Sequence, residues 1–310
     1  MKPIIVFGSI NMDLVAKTPR LPVAGETIKG DEFFTAGGGK GANQAVAAAR
    51  LGISTQIVGR LGNDDFGRQL LRHLQAAGVQ TDGVLVDEAT SSGVAVITVD
   101  DAGENNIIII AGANGRLNET DVERLRSKLP GAAALLMQLE IPMTTVQLAA
   151  QAAHSAGVPV ILDPAPAQDI PDELYSRIDI ITPNQLEASQ LVGFPVDGEE
   201  AAAKASAELQ QRGVSTVIVK LGDRGVFCAT AEETFFVPAF SVQAVDTVAA
   251  GDAFNGALAV ALAQGRSLRE AVVWGAAAGA LSATKAGAQP SLPDRKTFET
   301  FLKERGVGIC

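Results

Sequence analysis

The chain has 310 residues, of which 47% are hydrophobic and 19% charged, the balance of an ordinary folded protein with room for a large core. A formal charge of -10 with 5% aromatic residues argues against a nucleic-acid surface, which needs broad Lys and Arg coverage, but leaves room for a small anionic ligand held by a few amides and cations. Two cysteines, Cys228 and Cys310, are too few for a disulfide framework or a cysteine zinc site, and no apolar run is long enough for a signal peptide or a membrane span, so a cytoplasmic protein is expected.

In chain order, Ile4 to Phe7 reads as a buried strand ending at Gly8, with Asn11 and Asp13 following on one side of an extended chain. From Asp13 to Ala36 helix signals are poor; Pro19, Pro22, Gly25 and Gly30 break the run, and Thr27, Ile28, Phe33 and Phe34 suggest short strands. Gly37-Gly38-Gly39-Lys40-Gly41-Ala42-Asn43-Gln44 then leads into a helix from Ala45 to Leu51. This run is neither a Walker A loop nor, lacking a buried strand before it, a dinucleotide fingerprint. It allows backbone close to a small ligand, with Lys40 and Asn43 both in reach, although a tight packing turn would also use the glycines.

A strand at Thr55 to Val58 and a helix from Asp64 to Gly78 precede two β runs, Gly93 to Val99 and Asn105 to Ala111, around a turn at Asp100 to Gly103. Ile107 to Ile110 is apolar on both faces, so one side could cover a ligand and the other meet a second subunit. After Asn118, a helix cap, the beat is regular: helix to Leu129, strand Ala133 to Gln138, helix Thr144 to Ala156, strand Val158 to Leu162, strand Ile178 to Ile181, helices at Asn184 to Val192 and Glu199 to Arg212, and strand Thr216 to Val219. Val226 to Ala229 and Thr234 to Val237 read as antiparallel additions, and helices at Leu268 to Ala286 and Arg295 to Arg305 close the chain. The expectation is a single α/β domain over 1–310: a doubly wound, mostly parallel sheet with helices on both faces, plus a small β lid from about 13–36 and 93–111. Ligands in such sheets lie beyond the carboxyl ends of the strands, which gathers Asp13, Glu140, Asn184, Gly222 and the stretch Asp246 to Asp252 along one edge.

That last stretch, DTVAAGDAFNGALAVALA from Asp246 to Ala263, organises the rest. It places Asp252 where a buried helix begins, behind small residues whose amides are open to an anion. A base beside an anion hole can move a phosphoryl group onto a hydroxyl, although Asp at a helix start is also a common cap. Asn11, Asp13, Lys40, Asn43 and Glu140 mix donors and acceptors as a polyol ligand requires. Asn184 and Glu187, one helical turn apart, could hold Mg²⁺ through water beside a phosphate chain or simply start a helix. Lys220 to Gly225 could wrap a nucleotide or form a hairpin, while His73, His154 and Cys228 read as structural.

The strings GSINMD (Gly8 to Asp13), GGKGANQAVAAAR (Gly38 to Arg50), LLMQLE (Leu135 to Glu140), DIITPN (Asp179 to Asn184), VQAVDTVAAGDAFNGAL (Val242 to Leu258) and KAGAQPS (Lys285 to Ser291) together resemble the PfkB, or ribokinase-like, carbohydrate kinases over the whole chain. The resemblance implies ATP-dependent phosphorylation of the 5-hydroxyl of D-ribose, with Asp252 as base and Ala250 and Gly251 in the anion hole. It implies sugar contacts from Asn11, Asp13, Gly38, Gly39, Lys40, Asn43, Glu140 and Asp252, and nucleotide contacts from Asn184, Glu187, Lys220, Gly222, Asp223, Gly225 and Gly251. It further implies Mg²⁺ near Glu187 through water, K⁺ near Asp246, Val248, Ser282, Lys285, Gly287 and Ser291, and a homodimer formed through the lid. This chain departs from the family in carrying Lys220 and Asp223 where Thr and Ser are expected, and Ala276 where a polar residue can meet adenine. Competing readings are a related kinase for another sugar or a nucleoside, a non-catalytic sugar-binding sensor, and, more weakly, a nicotinamide dehydrogenase.

Overall fold

The computed structural model describes residues 1–308; Cys310 lies outside them. The chain opens with β1 (Ile4–Phe7), crosses Gly8, Ser9 and Ile10, and continues as β2 (Asn11–Thr18) and β3 (Glu32–Gly38) before α1 (Lys40–Arg50). Next come β4 (Thr55–Gly62), α2 (Asp65–Ala76), β5 (Val79–Asp87), β6 (Gly93–Asp100), β7 (Asn105–Ile110), α3 (Glu119–Arg126) and β8 (Ala134–Met137). The alternation continues through α4 (Met143–Ser155), β9 (Val160–Leu162), α5 (Asp172–Tyr175), β10 (Ile180–Ile181), α6 (Gln185–Val192), α7 (Glu199–Gln211) and β11 (Thr216–Lys220). It ends with β12 (Gly225–Ala229), β13 (Thr234–Pro238), α8 (Ala250–Ala263), α9 (Leu268–Ser282), α10 (Ala288–Ser291) and α11 (Arg295–Glu304).

Two sheets result. The larger has nine strands in the order β13-β12-β11-β10-β9-β8-β1-β4-β5, parallel except for its last two strands, β12 and β13, which run antiparallel at one edge. Alternation along β1 shows why helices must cover both faces: Ile4 and Val6 join one core with α1, α8, α9 and α11, while Ile5 and Phe7 join the other with α3, α4 and α7. The smaller sheet, β3-β2-β6-β7, is built from the segments for which a lid was expected, with β2 and β6 parallel and the other pairs antiparallel. Among the described residues, no helix is long and apolar enough to cross a membrane.

Several local expectations are corrected. Val79–Asp87 is a strand with no counterpart in the sequence reading, because Asp82 and Gly83 interrupt its apolar alternation; parallel pairing with β4 holds it. β4 itself runs on to Gly62, four residues past the expected end. α1 begins at Lys40 rather than Ala45, since Gly41 packs too closely on the backbone of Gly8 and Ser9 for any Cβ and is therefore a packing glycine within the helix. Thr27 and Ile28 are in no strand, and α3 stops at Arg126 rather than Leu129. α9 ends at Ser282, not Ala286, and a turn separates it from α10. Asp13 lies within β2 of the smaller sheet and not at the edge of the main sheet, so the expected site residues come from both sheets.

α8 sits against α1 and α9 with small residues at the contacts. A Cβ on Gly256 would lie 2.6 Å from Ala47 Cβ and 3.1 Å from the Ala48 nitrogen, so the two helices meet almost backbone to backbone. Gly256→Ala is therefore expected to cost about 1–3 kcal/mol by overpacking, read as a lower urea midpoint with an unchanged slope.

Candidate active site

Asp252 lies in the first turn of α8 and is 4% exposed. Ala249, immediately before the helix, is left-handed at φ 60°, the only non-glycine with positive φ among the described residues. A strained residue of this kind costs about 1 kcal/mol or more and persists only where the surroundings demand it. Here it turns the chain so that α8 starts against the site. Thr247 O accepts from the Ala250 amide at 3.2 Å and Ala249 O from the Ala253 amide at 2.8 Å, leaving the Gly251 and Asp252 amides at the helix end without a backbone partner. Ala250, one of the two residues expected to offer an open amide, has its amide engaged in its own turn, while Gly251, the other, does not.

The carboxylate of Asp252 is held at both oxygens: Asn43 Nδ2 donates to Oδ2 at 2.9 Å and Gln44 Nε2 to Oδ1 at 3.1 Å. Both donors stand on the first turn of α1, which the glycine run delivers to the spot; Gly39, at φ 86°, has Asn11 N 2.7 Å from where a Cβ would sit. Asn43 Oδ1 is buried and unpartnered, an acceptor left for a ligand hydroxyl. Burial raises the Asp252 pKa to about 6, Lys40 and the two amides pull it down, and the Asp163 carboxylate pushes it up. A base with that value is ionised at neutral pH yet still accepts a proton readily.

The other expected sugar-side residues converge on the same place. Asn11 and Asp13 project from β2; Asn114 Nδ2 occupies Asn11 Oδ1 at 2.7 Å, which leaves the Asn11 amide to donate. Asp13 is 7% exposed and lies so close to Gly38 that a Cβ there would fall 2.2 Å from its Oδ2. Burial first, then the charges of Glu140 and Asp252, raise its pKa to about 7. Glu140, just past β8, accepts from Ser9 Oγ at 2.5 Å and the Lys40 amide at 3.1 Å. Burial works against the Lys40 ammonium, but Asp252, Asp163, Glu140 and Glu187 outweigh it and keep the lysine charged.

Of the residues expected to meet the nucleotide, Asn184 and Glu187 form a reciprocal cap on α6: Asn184 Oδ1 accepts the Glu187 amide at 2.9 Å, and Glu187 accepts the Asn184 amide at 2.7 Å and its Nδ2 at 2.9 Å. The helix-start alternative is therefore realised. Glu187 nevertheless faces Lys220 and Lys40, and burial raises its pKa against their pull. Lys220, at the end of β11, pairs with Asp163 at 3.0 Å and reaches towards Gly251. Gly222 and Asp223 form a single turn between β11 and Gly225, the residue that opens β12.

A third cluster lies between the approach to α8 and the segment after α9. Asp246 accepts from the Val248 amide at 2.9 Å and the Gly287 amide at 2.8 Å, and Ser282 Oγ meets Ser291 Oγ at 2.7 Å. Lys285 lies on the turn between them. Sequence reasoning did not single out Ser9, Gln44, Asn114, Gln138 or Asp163, all buried polar residues in or beside this site. Gln44 was within reach as the neighbour of Asn43, and Asp163 by the rule that found Glu140, since it directly follows a strand.

The profile of the pfkB family carbohydrate kinases matches residues 1–295. This chain belongs to that family. The pfkB kinase is 43% identical over 302 residues to a ribokinase of Haemophilus influenzae, an alignment covering 97% of this chain and 99% of the relative. It is 37% identical to a deoxyribokinase of Salmonella typhi, covering 96% and 98%. The solved structure of Arabidopsis thaliana ribokinase complexed with ribose and ATP superposes with a TM-score of 0.90 at 39% identity, covering 97% and 99%.

The raised carboxyls carry a stability consequence. An Asp whose folded pKa is raised destabilises the fold when ionised; the penalty is absent below its unfolded value near 3.8 and grows as pH rises to about 7. Asp13→Asn should therefore melt higher than the wild type at pH 8 and at the same temperature near pH 4, as read by thermal unfolding across that range.

Proposed function

We propose that this pfkB kinase transfers the γ-phosphoryl group of ATP to the 5-hydroxyl of D-ribose, giving D-ribose 5-phosphate and ADP. The observation that carries the reading is Asp252, buried and raised to about 6, at the edge of a helix end with free amides and facing groups that match a polyol. Its relatives, a ribokinase at 43% identity over nearly the full chain among them, support the acceptor.

Asn11 and Lys40 donate to sugar hydroxyls, while Asp13, Glu140 and the free oxygen of Asn43 accept from them, beside Gly38 and Gly39, which let the sugar lie against backbone. This fixes the 5-hydroxyl against Asp252, which takes its proton as the oxygen attacks phosphorus. Gly251 and Asp252 amides, supported by the end of α8 and the turn at Ala250, stabilise charge on the transferred group. Asn184, Glu187, Lys220, Gly222, Asp223 and Gly225 line the ATP side.

The residues present fit both expected cations. Glu187 already accepts two hydrogen bonds, so it suits Mg²⁺ held through water, where the ion neutralises phosphate charge. Asp246, held by the Val248 and Gly287 amides, and the paired Ser282 and Ser291 hydroxyls carry oxygens of the kind K⁺ takes; with the carbonyl oxygens of Val248, Lys285 and Gly287 they would hold that ion and steady the approach to α8. All six residues of β7 are exposed, Ile108 at 64%, and both faces of that strand are apolar over Ile107–Ile110; we assign this surface to a homodimer formed through the lid.

A second acceptor, deoxyribose, is favoured by the similarity to a deoxyribokinase and would use the same base. ADP release from MgATP with D-ribose, deoxyribose, hexoses and nucleosides, with and without K⁺, separates the readings. D-ribose is expected to give the highest kcat/KM, and no turnover on any acceptor would overturn the kinase reading. Asp252→Asn should lower kcat by on the order of 10² or more with little change in sugar affinity. Ile109→Glu should shift the sedimentation coefficient towards a monomer or impair folding; a stable dimer would refute the lid interface.

A further inference from the structure

Asp163 has no role in the reading above, yet it is 2% exposed at the centre of the site, directly after β9. Its Oδ1 accepts from Lys220 Nζ at 3.0 Å and its Oδ2 from Gln44 Nε2 at 3.0 Å. The same Gln44 nitrogen donates to Asp252 Oδ1, and Gln44 is itself braced by Gln138, whose Nε2 donates to Gln44 Oε1 at 2.7 Å. Lys220 Nζ lies 3.3 Å from where a Cβ on Gly251 would sit, against the helix end whose amides are free. A continuous chain of contacts therefore runs from the base through Gln44 and Asp163 to a cation at the anion hole.

We propose that Asp163 is a positioning residue that fixes, with one carboxylate, both the amide that orients the base and a lysine that meets the transferring phosphoryl group. The proposal rests on the phosphoryl-transfer reading. Stability alone does not account for the pair, because burying two charges costs about as much as their attraction returns. Lysine carries three donors on a flexible stem, and Asp163 takes one of them, leaving two for phosphate oxygens. Without that anchor the ammonium would be free to pair with Asp252 itself, which would depress the base and remove the cation from the phosphate path. The pair also depends on both members of this chain: the Thr expected at position 220 could reach neither partner with a charge.

The groups facing Asp252 are Lys40, Asn43 and Gln44 from α1, Asp13 from β2 and Asp163 after β9. Removing the Asp163 charge removes one influence that raises the proton affinity of the base. The experiment compares the full chain with Asp163→Ala, Asp163→Asn, Lys220→Met and the double variant Asp163→Asn/Lys220→Met. Calorimetry measures MgATP and MgAMP binding without sugar, and initial rates measure ADP release. Lys220→Met should weaken MgATP about tenfold and MgAMP less than about twofold. Asp163→Ala should lower kcat about 10–100-fold with less than about threefold change in the KM for ribose, and Asp163→Asn should move the acid limb of kcat to lower pH. The neutral double variant should fold and lose no more activity than the worse of Asp163→Asn and Lys220→Met.

Equal losses for ATP and AMP, an acid limb that stays put, or losses that multiply in the double variant would overturn the proposal and leave the pair a packing feature. If wild-type protein binds MgATP but phosphorylates none of the acceptors, the function reading fails and takes the proposal with it. Wild-type turnover with an unmoved acid limb overturns the proposal alone.

Discussion

Confinement of negative charge is the constraint on which this site depends. Asp13, Glu140, Asp163, Glu187 and Asp252 are brought together with Lys40 and Lys220 as the lysines among them. Five carboxyls against two ammonium groups would disperse into water if the chain allowed it. Instead three of them are pinned by neutral donors: Glu140 by the Ser9 hydroxyl and the Lys40 backbone amide, Glu187 by the α6 cap, and Asp252 by Asn43 and Gln44. Neutral donors satisfy carboxylate oxygens without cancelling charge, so the base remains basic and the acceptors remain acceptors. The cost appears as raised proton affinity at Asp13 and Asp252, a case of stability yielded for function.

The main fold supplies the rigidity that such confinement needs. The parallel strands stop along one line, and Glu140, Asp163 and Asn184 are each the first polar side chain, or close to it, beyond a strand end. The helices then deliver their amino ends to the same line, α1 with its two amides and α8 with the base. Close approach of α1 and α8 through Gly256 and Ala47 keeps the donors and the carboxylate in register, since both helices are locked by backbone contact and not by adaptable side chains.

Much of this was legible from residues alone. The alternation of apolar runs with helical segments anticipated the doubly wound sheet, and Asp252 stood out because small residues and a buried helix framed it. The strand Val79–Asp87 escaped because its identity depends on a neighbour: with Asp82 and Gly83 inside it, only pairing with β4 makes it a strand. The early start of α1 escaped because glycine reads locally as loop, whereas Gly41 is chosen for its nearness to Gly8 and Ser9. Gln44 and Asp163 escaped for a third reason. Their places, beside Asn43 and directly after a strand, are local signals, but the contacts that give them weight cross more than a hundred residues of chain.

Placement of Asp13 on the small sheet and Asp252 on the large one has a mechanical meaning. One of the connections between the two sheets is the short passage Gly8, Ser9 and Ile10, and the proposed acceptor pocket lies where they meet. On the proposed reading, a sugar gripped by residues of both would act as a removable cross-link between the two sheets. Recognition and rigidity would then be a single property: a molecule too short to reach both sheets would be denied contacts and, in the same act, would leave the frame around Asp252 unbraced.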